Sequence, residues 1–162
     1  MSANPDFDAL VEREKNLIFS HFAADDAWWL GCFLRNLGAD RDAPIAIDIT
    51  VGPTTLFRAL LPGATADNLG WIKRKTATAW RFQLSSYAMN QKLTAGDNLF
   101  ERFGLDHATY AAAGGAVPIR VAGVGMVGVV AVSGLPQLDD HMMVLDALNA
   151  LGAWQNNKKG EA

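Results

Sequence analysis

The stretch that most constrains the fold is YAAAGGAVPIRVAGVGMVGVVAVSGLP, residues 110–136, in which glycine and valine dominate. Valine favours strands, whereas glycine permits turns, bulges and close backbone approach. We therefore predict two strands, AVPIRVA and VGMVGVVAVS, joined by a tight turn around Gly123. The sequence GVGMVG matches the spacing of a dinucleotide-binding loop, but that loop requires a helix directly after a strand. Here a strand runs through the motif, so we exclude this class of site.

The rest of the chain predicts an α+β domain. The alternating segment APIAIDITVG and the segment TTLFRALL, separated by Gly52 and Pro53, predict a second hairpin. Apolar spacing predicts helices over residues 4–22, 24–39 and 67–82 and from Gln137 onward, with shorter helical pieces within 85–93 and 96–112. Turns this short exclude parallel crossovers, so we expect an antiparallel sheet of four strands flanked by helices. Residues 155–162 read as a frayed tail.

Composition excludes several classes of protein. The 162 residues fit one domain, and a formal charge of −3 lacks the basic excess expected of a nucleic-acid binder. The longest apolar runs fall short of a membrane span, and the single Cys32 excludes a disulfide framework or a cysteine-based metal site. The start, MSANPDFDALVEREK, lacks the basic region followed by an apolar region that marks a signal peptide. We therefore predict a cytoplasmic protein without nucleic-acid or membrane partners.

The glycine-rich stretch also carries a family resemblance. GGAVPIRVAGVGMVGVVAVSGLPQLDDH resembles the signature of the GlcG/HbpS-like proteins, the heme-degrading-domain family. ALPGATADNLGWIKRKTATAWRF, SSY and FERFGLDHATYAAAGGA are similar, more narrowly, to its uncharacterised bacterial and fungal branch. The resemblance covers about residues 8–151 and implies a profilin-like antiparallel sheet of five strands flanked by helices. It also implies a homo-oligomer.

The family name implies heme or another tetrapyrrole, which requires an axial ligand from the protein. The branch usually has a histidine directly before the Ser-Ser pair and another before the Gly-Gly pair. This chain has Leu84 and Ala113 at those positions. Heme ligation at the family site is therefore disfavoured, and a more apolar pocket for another ligand is expected. The cofactor stays open, and no metal site is predicted.

Two residues are candidates for acid/base chemistry. His141, in DDHMM, matches the acidic-histidine sequence of the branch and is a candidate general base, with Asp139 or Asp140 holding it. The alternative is a surface histidine beside acids that complement the helix dipole. Lys75 is the second candidate, on one face of the predicted helix over residues 67–82.

Six residues are candidates for ligand binding: Arg81, Ser85, Ser86, Tyr110, Gly114 and Gly115. Lys75 and Arg81 would pair with a carboxylate or enolate on the ligand, and Ser85 and Ser86 would donate hydrogen bonds to it. Arg81 stands among apolar residues, so we expect it to be partly desolvated. The alternatives are cations that face water or pair with Asp48 or Glu101, and glycines that serve the architecture alone.

These observations predict a cytoplasmic small-molecule-binding protein. Its ligand would be an aromatic or carboxylated small molecule. Whether the protein is an enzyme stays open; if it is, acid/base chemistry without a metal is the expected activity. The alternatives are a non-enzymatic heme or tetrapyrrole binder or sensor, and an oligomeric scaffold. Trp28, Trp29, Phe33 and the glycine-rich strands offer more apolar surface than one small domain buries, so we expect a homo-oligomer.

Overall fold

The computed structural model describes residues 5–93 and 96–161. The helices are α1 (Pro5–Lys15), α2 (Ala24–Asp40), α3 (Ala66–Phe82), α4 (Ser86–Lys92), α5 (Leu99–Phe103) and α6 (Gln137–Gly160). The strands are β1 (Ile18–Phe19), β2 (Ala46–Val51), β3 (Thr54–Leu60), β4 (Ala116–Val121) and β5 (Gly125–Ser133).

The strands form one sheet in the order β1-β4-β5-β2-β3. The pairs β4–β5, β5–β2 and β2–β3 are antiparallel, whereas β1 pairs with β4 in parallel. Both predicted hairpins are present, so the predicted α+β class, with an antiparallel sheet flanked by helices, is confirmed. Gly128 is required where β5 pairs with β2, because a Cβ there would lie 2.2 Å from the carbonyl oxygen of Thr50.

The two faces of the sheet carry different packing. One face buries large aliphatic side chains such as Ile47 and Val130 against α2 and α6. The opposite face buries mostly small side chains, Ala46, Ala116, Val129 and Ala131, against α3. Small residues allow α3 to lie close to the sheet, which brings the buried face of this helix against β5 and the start of α6. Among the described residues, no helix combines the length and the hydropathy needed to cross a bilayer.

The first helix is shorter than predicted. It ends at Lys15, and Ile18 and Phe19 instead form β1, aligned with Arg120 and Val121 of β4. Phe19 is only 4% exposed and belongs to the core, so tertiary packing overrides the helical spacing of this segment. A strand of two residues has no alternation that a sequence reading detects. The predicted start at residue 4 lies outside the described residues.

The frayed tail is wrong for residues 155–160, because α6 continues to Gly160. Gln155 is buried, and its amide donates to the carboxylate of Asp26 at 2.9 Å and to the carbonyl oxygen of His21 at 3.1 Å. These bonds hold the last turns of the helix on the body of the protein. Residue 162 lies outside the described residues. In the segment 96–112 only α5 is helical, and it ends at Gly104 in the left-handed conformation.

Candidate functional site

A cleft of about 310 Å³ opens between the first half of α3 and the connection from β5 to α6. It is lined by Asp67, Asn68, Trp71, Lys75, Ala113, Ser133, Gly134, Leu135, Gln137 and Asp140. Trp71 offers a partly exposed indole, on which the guanidinium of Arg74 stacks at 4.1 Å from the ring centroid. The cleft therefore combines an aromatic wall with a nearby cation.

A buried ion pair forms the floor of this cleft. The Nζ of Lys75 lies 3.2 Å from Oδ2 of Asp140 and donates a second hydrogen bond, also 3.2 Å, to the carbonyl oxygen of Val132. Lys75 is 3% exposed and Asp140 is 1% exposed. The pair joins residues 65 positions apart in sequence, so it ties α3 to the first turn of α6.

Burial opposes the charged form of both partners. It lowers the pKa of Lys75, against the attraction of Asp140. It raises the pKa of Asp140, against the attraction of Lys75 and the hydrogen bonds from Leu135, Lys75 and Gly134. Burial therefore shifts the two pKa values toward each other.

Local backbone geometry fixes the carboxylate of Asp140. The backbone N–H groups of Gly134 and Leu135 donate to it at 3.3 and 3.0 Å. These bonds hold the connection between β5 and α6 against the start of the helix. Gly134 has φ +153°, and a Cβ there would lie 2.2 Å from the carbonyl oxygen of Pro44, so this turn depends on glycine.

The glycine pair lies beside the ion pair without lining the cleft. Gly115 has φ +128°, and a Cβ at this position would lie 2.3 Å from the oxygen of Val132 and 2.9 Å from Nζ of Lys75. A Cβ at Gly114 would lie 2.2 Å from the carbonyl oxygen of Gln137. Both glycines are thus required by close packing, which is the architectural alternative. Gly115 also lets the backbone lie close to the Lys75 ammonium.

His141 lies behind the cleft and does not line it. The residue is fully buried, its ring stacks on Tyr87 at 4.8 Å, and Nε2 is 3.4 Å from Oε1 of Glu14. Neither ring nitrogen has a hydrogen-bond partner within the described part of the chain. Burial, with a smaller effect of Arg13, lowers the pKa of His141 to about 4, so the imidazole is neutral at pH 7. The prediction that Asp139 or Asp140 holds this ring is wrong, because Asp140 contacts Lys75 and Asp139 is exposed.

The two serines have partners inside the protein. Ser85 caps α4 by accepting from Ala88 N–H, and its hydroxyl donates to Glu14 at 2.7 Å. Ser86 accepts from Ala116 N–H at 3.1 Å, which ties α4 to β4. Neither hydroxyl lines the cleft. Burial raises the pKa of Glu14, and the two hydrogen bonds from Ser85 oppose that shift.

Arg81 and Tyr110 form a separate pair. The guanidinium lies 5.7 Å from the centroid of the tyrosine ring, and Arg81 is exposed. The expected desolvation of Arg81 is therefore wrong, because the apolar residues next to it in sequence point to other faces of the helix. Its suggested internal partner Asp48 pairs instead with Arg58 at 3.1 Å. The structure thus brings Lys75 and Gly115 together and places Arg81 with Tyr110 elsewhere.

Sequence reasoning missed Asp140 as the partner of Lys75 and Trp71 as a wall of the cleft. One signal was available, since Trp71 and Lys75 lie four positions apart and share a helix face. A lysine on the buried face of a helix requires a counter-charge. Nothing in the sequence identified which of the acidic residues supplies it.

Comparison with known proteins defines the class. The family model described as "Haem degrading protein HbpS-like" matches residues 22–149, so the chain belongs to the HbpS-like family. This confirms the resemblance found in the sequence. Among curated relatives, a UPF0303 protein of Streptomyces coelicolor is 47% identical over 140 residues, which cover 86% of this chain and 89% of the relative.

Two solved structures share the fold. The Ybr137w protein superposes with a TM-score of 0.86 at 35% identity, covering 95% of this chain and 91% of that chain. A structure titled PduOC:Heme complex superposes with a TM-score of 0.69 at 16% identity, covering 80% of this chain and 94% of that chain. At that identity the second likeness concerns the fold alone.

Heme does not fit this cleft through an ordinary axial ligand. Heme iron is held by histidine, cysteine, methionine or tyrosine. None of these residue types lines the cleft within the described residues, Ala113 lies in its wall, and Lys75 is engaged by Asp140. Among residues 5–93 and 96–161, no three His, Cys, Asp or Glu side chains lie together as a metal site requires.

Proposed function

We propose that this chain is a cytoplasmic small-molecule-binding protein that takes an aromatic or carboxylated ligand into the cleft at Trp71. In this proposal the protein acts on its ligand by acid/base chemistry without a metal. One observation carries the proposal: the buried pair of Lys75 and Asp140 forms the floor of the cleft.

A buried ion pair is a costly way to join two helices. Desolvation offsets most of its Coulomb energy, and well-packed apolar residues often stabilise a fold as well or better. Titratable groups whose pKa values are shifted by burial, and which lie in a cleft, are typical of functional sites. Lys75 and Asp140 meet both conditions.

The walls of the cleft favour the proposed ligand class. The indole of Trp71 provides a face for an aromatic ring, which prefers offset stacking or edge contacts. The ammonium of Lys75, which lines the cleft, and the guanidinium of Arg74, which stacks on Trp71, offer positive charge to a carboxylate or a carbonyl oxygen. Asp140 is then the proton acceptor or donor beside the bound group. His141 acts in this proposal only through the packing of α6, because it does not line the cleft.

The proposal is tested by binding of small probes. Benzoate, 4-hydroxymethylbenzoate and 4-carboxybenzaldehyde each carry a ring and a carboxylate, and their binding is measured by calorimetry. We expect millimolar or tighter binding that weakens about tenfold in Trp71→Ala, since ring stacking contributes about 0.5–1.5 kcal/mol beyond area burial. Trp28→Ala is the matched control, because Trp28 is exposed on α2. Binding that Trp71→Ala leaves unchanged would place the ligand elsewhere.

A heme or tetrapyrrole binder is the second candidate. It is favoured by the fold shared with the PduOC:Heme complex. It is opposed by the absence of an axial ligand from the described cleft lining. Titration with hemin should therefore give no sharp absorption band of ligated heme. A sharp band of ligated heme would support this candidate instead.

A further inference from the structure

We propose that Lys75 is a nucleophile that forms a protonated imine with small aldehydes or ketones entering the cleft. The inference rests on the proposed function, because the same cleft must first admit the compound. It names a substrate class, small carbonyl compounds, and gives Lys75 a covalent role beyond proton transfer.

Space and orientation at Nζ support this role. The ammonium has three donor positions, and two of them are directed to acceptors, the oxygen of Val132 and the carboxylate of Asp140, both at 3.2 Å. Although Lys75 is buried, its side chain forms part of the floor of the cleft. Gly115 lets the backbone pack beside Nζ, where a Cβ would stand at 2.9 Å. In this proposal a carbonyl carbon reaches Nζ through the cleft, which Lys75 lines.

Asp140 supplies the proton transfers that imine formation needs. Its carboxylate takes one proton from the Lys75 ammonium, and the freed lone pair attacks the carbonyl carbon. The C–N bond forms as the C=O π bond breaks, and a second nitrogen proton moves to the oxygen, which gives a carbinolamine. Asp140 then returns its proton to the hydroxyl, which leaves as water while the nitrogen lone pair forms the C=N bond.

The charges before and after this reaction are the same. The protonated imine carries the positive charge that the ammonium carried, and Asp140 is again a carboxylate at hydrogen-bond distance. The net change is one carbonyl compound consumed and one water released, with no oxidant or reductant. The buried site thus never holds an unpaired charge once the product has formed.

Burial distinguishes Lys75 from the exposed lysines of the chain. Lys73 lies two positions away on the same helix and is exposed, whereas Lys75 is 3% exposed. Burial lowers the pKa of Lys75, so a larger fraction of its amine is neutral and nucleophilic at pH 7.

The test is reductive trapping with 4-carboxybenzaldehyde and sodium borohydride at pH 7, followed by peptide mass mapping. The borohydride reduces an imine to a stable secondary amine at the lysine that formed it. We expect the adduct on Lys75 to be the dominant one and to exceed that on Lys73. The alcohol 4-hydroxymethylbenzoate has the same ring and carboxylate but no carbonyl carbon, and it should compete for the cleft and suppress the adduct.

Two variants locate the reaction. Lys75→Arg keeps a cation beside Asp140 and should lose the dominant adduct, while Lys73→Arg should keep it. If Lys75→Arg does not fold, the peptide map of the wild-type protein and its suppression by the alcohol still decide the question. Adducts spread evenly over the exposed lysines would overturn the inference.

The same experiment separates this inference from the proposed function. Binding of both the aldehyde and the alcohol in the cleft, without a trapped adduct on Lys75, would overturn the imine and leave ligand binding intact. Absence of binding by either compound would overturn both.

Discussion

Replacing Asp140 with asparagine should destabilise the fold by about 3–5 kcal/mol at pH 7, because it leaves the ammonium of Lys75 buried without a counter-charge. The two side chains are 4% and 2% exposed, and their charged atoms lie 3.2 Å apart. At an effective dielectric constant of about 20, two unit charges at this distance attract by about 5 kcal/mol.

A second route leads to a similar stability loss, because in the variant Lys75 can instead be buried without its proton. Lys75 can lose its proton, which at pH 7 costs about 5 kcal/mol relative to an ordinary lysine with a pKa of about 10.4. Burial lowers the pKa of Lys75 in the fold. The unfolded lysine keeps its proton up to about pH 10.4, whereas the folded lysine releases it at a lower pH, so the penalty is fully present below the folded pKa and shrinks steadily as the pH rises toward about 10.4. At pH 10 the loss should shrink to about 0.5–1 kcal/mol.

Urea unfolding of the wild-type protein and Asp140→Asn at pH 7 and pH 10 measures both losses. Asp139→Asn is the matched control, since Asp139 precedes Asp140 and is exposed, and it should change stability by no more than about 0.5 kcal/mol. A loss below about 1 kcal/mol at pH 7 would refute the reasoning. An equal loss at both pH values would show that Lys75 does not cause it.

Three further predictions concern other parts of the chain. The pKa of His141 is lowered to about 4 in the fold, so the unfolded state binds the extra proton and stability falls as the pH drops from about 6.5 toward 4. Between pH 7 and pH 5, the free energy of unfolding measured in urea should fall by about 2 kcal/mol less in His141→Phe than in the wild type. The same pH dependence in both proteins would contradict this. Arg81→Met should change stability by less than about 0.5 kcal/mol and leave calorimetric binding of 4-hydroxymethylbenzoate intact, because Arg81 is exposed away from the cleft; a tenfold loss of affinity would place it in the site. Sedimentation at micromolar concentration should show an oligomer that Trp28→Glu weakens, since Trp28 is 65% exposed; a folded wild-type monomer of 17.4 kDa would contradict it.

The hairpins could be predicted from sequence because their signals are local. Ile45, Ile47 and Ile49 are all fully buried, as their alternation requires, and Gly52 and Pro53 make the turn that follows. By contrast, β1 forms only because Ile18 and Phe19 meet β4, about 100 positions later in the chain. The last turns of α6 depend on Gln155 meeting Asp26. Such contacts leave no periodic pattern in the sequence.

The candidate site was only partly predictable for the same reason. The sequence singled out Lys75, but its partner lies 65 residues away in an acidic pair whose two members look alike. Burial separates them, since Asp140 is 1% exposed while Asp139 is exposed. Ser85 and Ser86 have the residue type expected of ligand donors, yet they cap α4 and bind β4. Residue type shows what a side chain is able to donate, whereas its partner depends on the fold.

The central claim is that the cleft at Trp71, Lys75 and Asp140 binds a small ligand. The most direct measurement is a titration with 4-hydroxymethylbenzoate followed by the indole N–H signals of a ¹⁵N-labelled sample, with the Trp71 signal assigned from Trp71→Phe. Trp71 lines the cleft, whereas Trp28 is exposed on α2 and does not. We predict a saturable shift of the Trp71 signal with the Trp28 signal unchanged. A titration in which the Trp71 signal stays fixed, or in which both signals drift together without saturating, would contradict it.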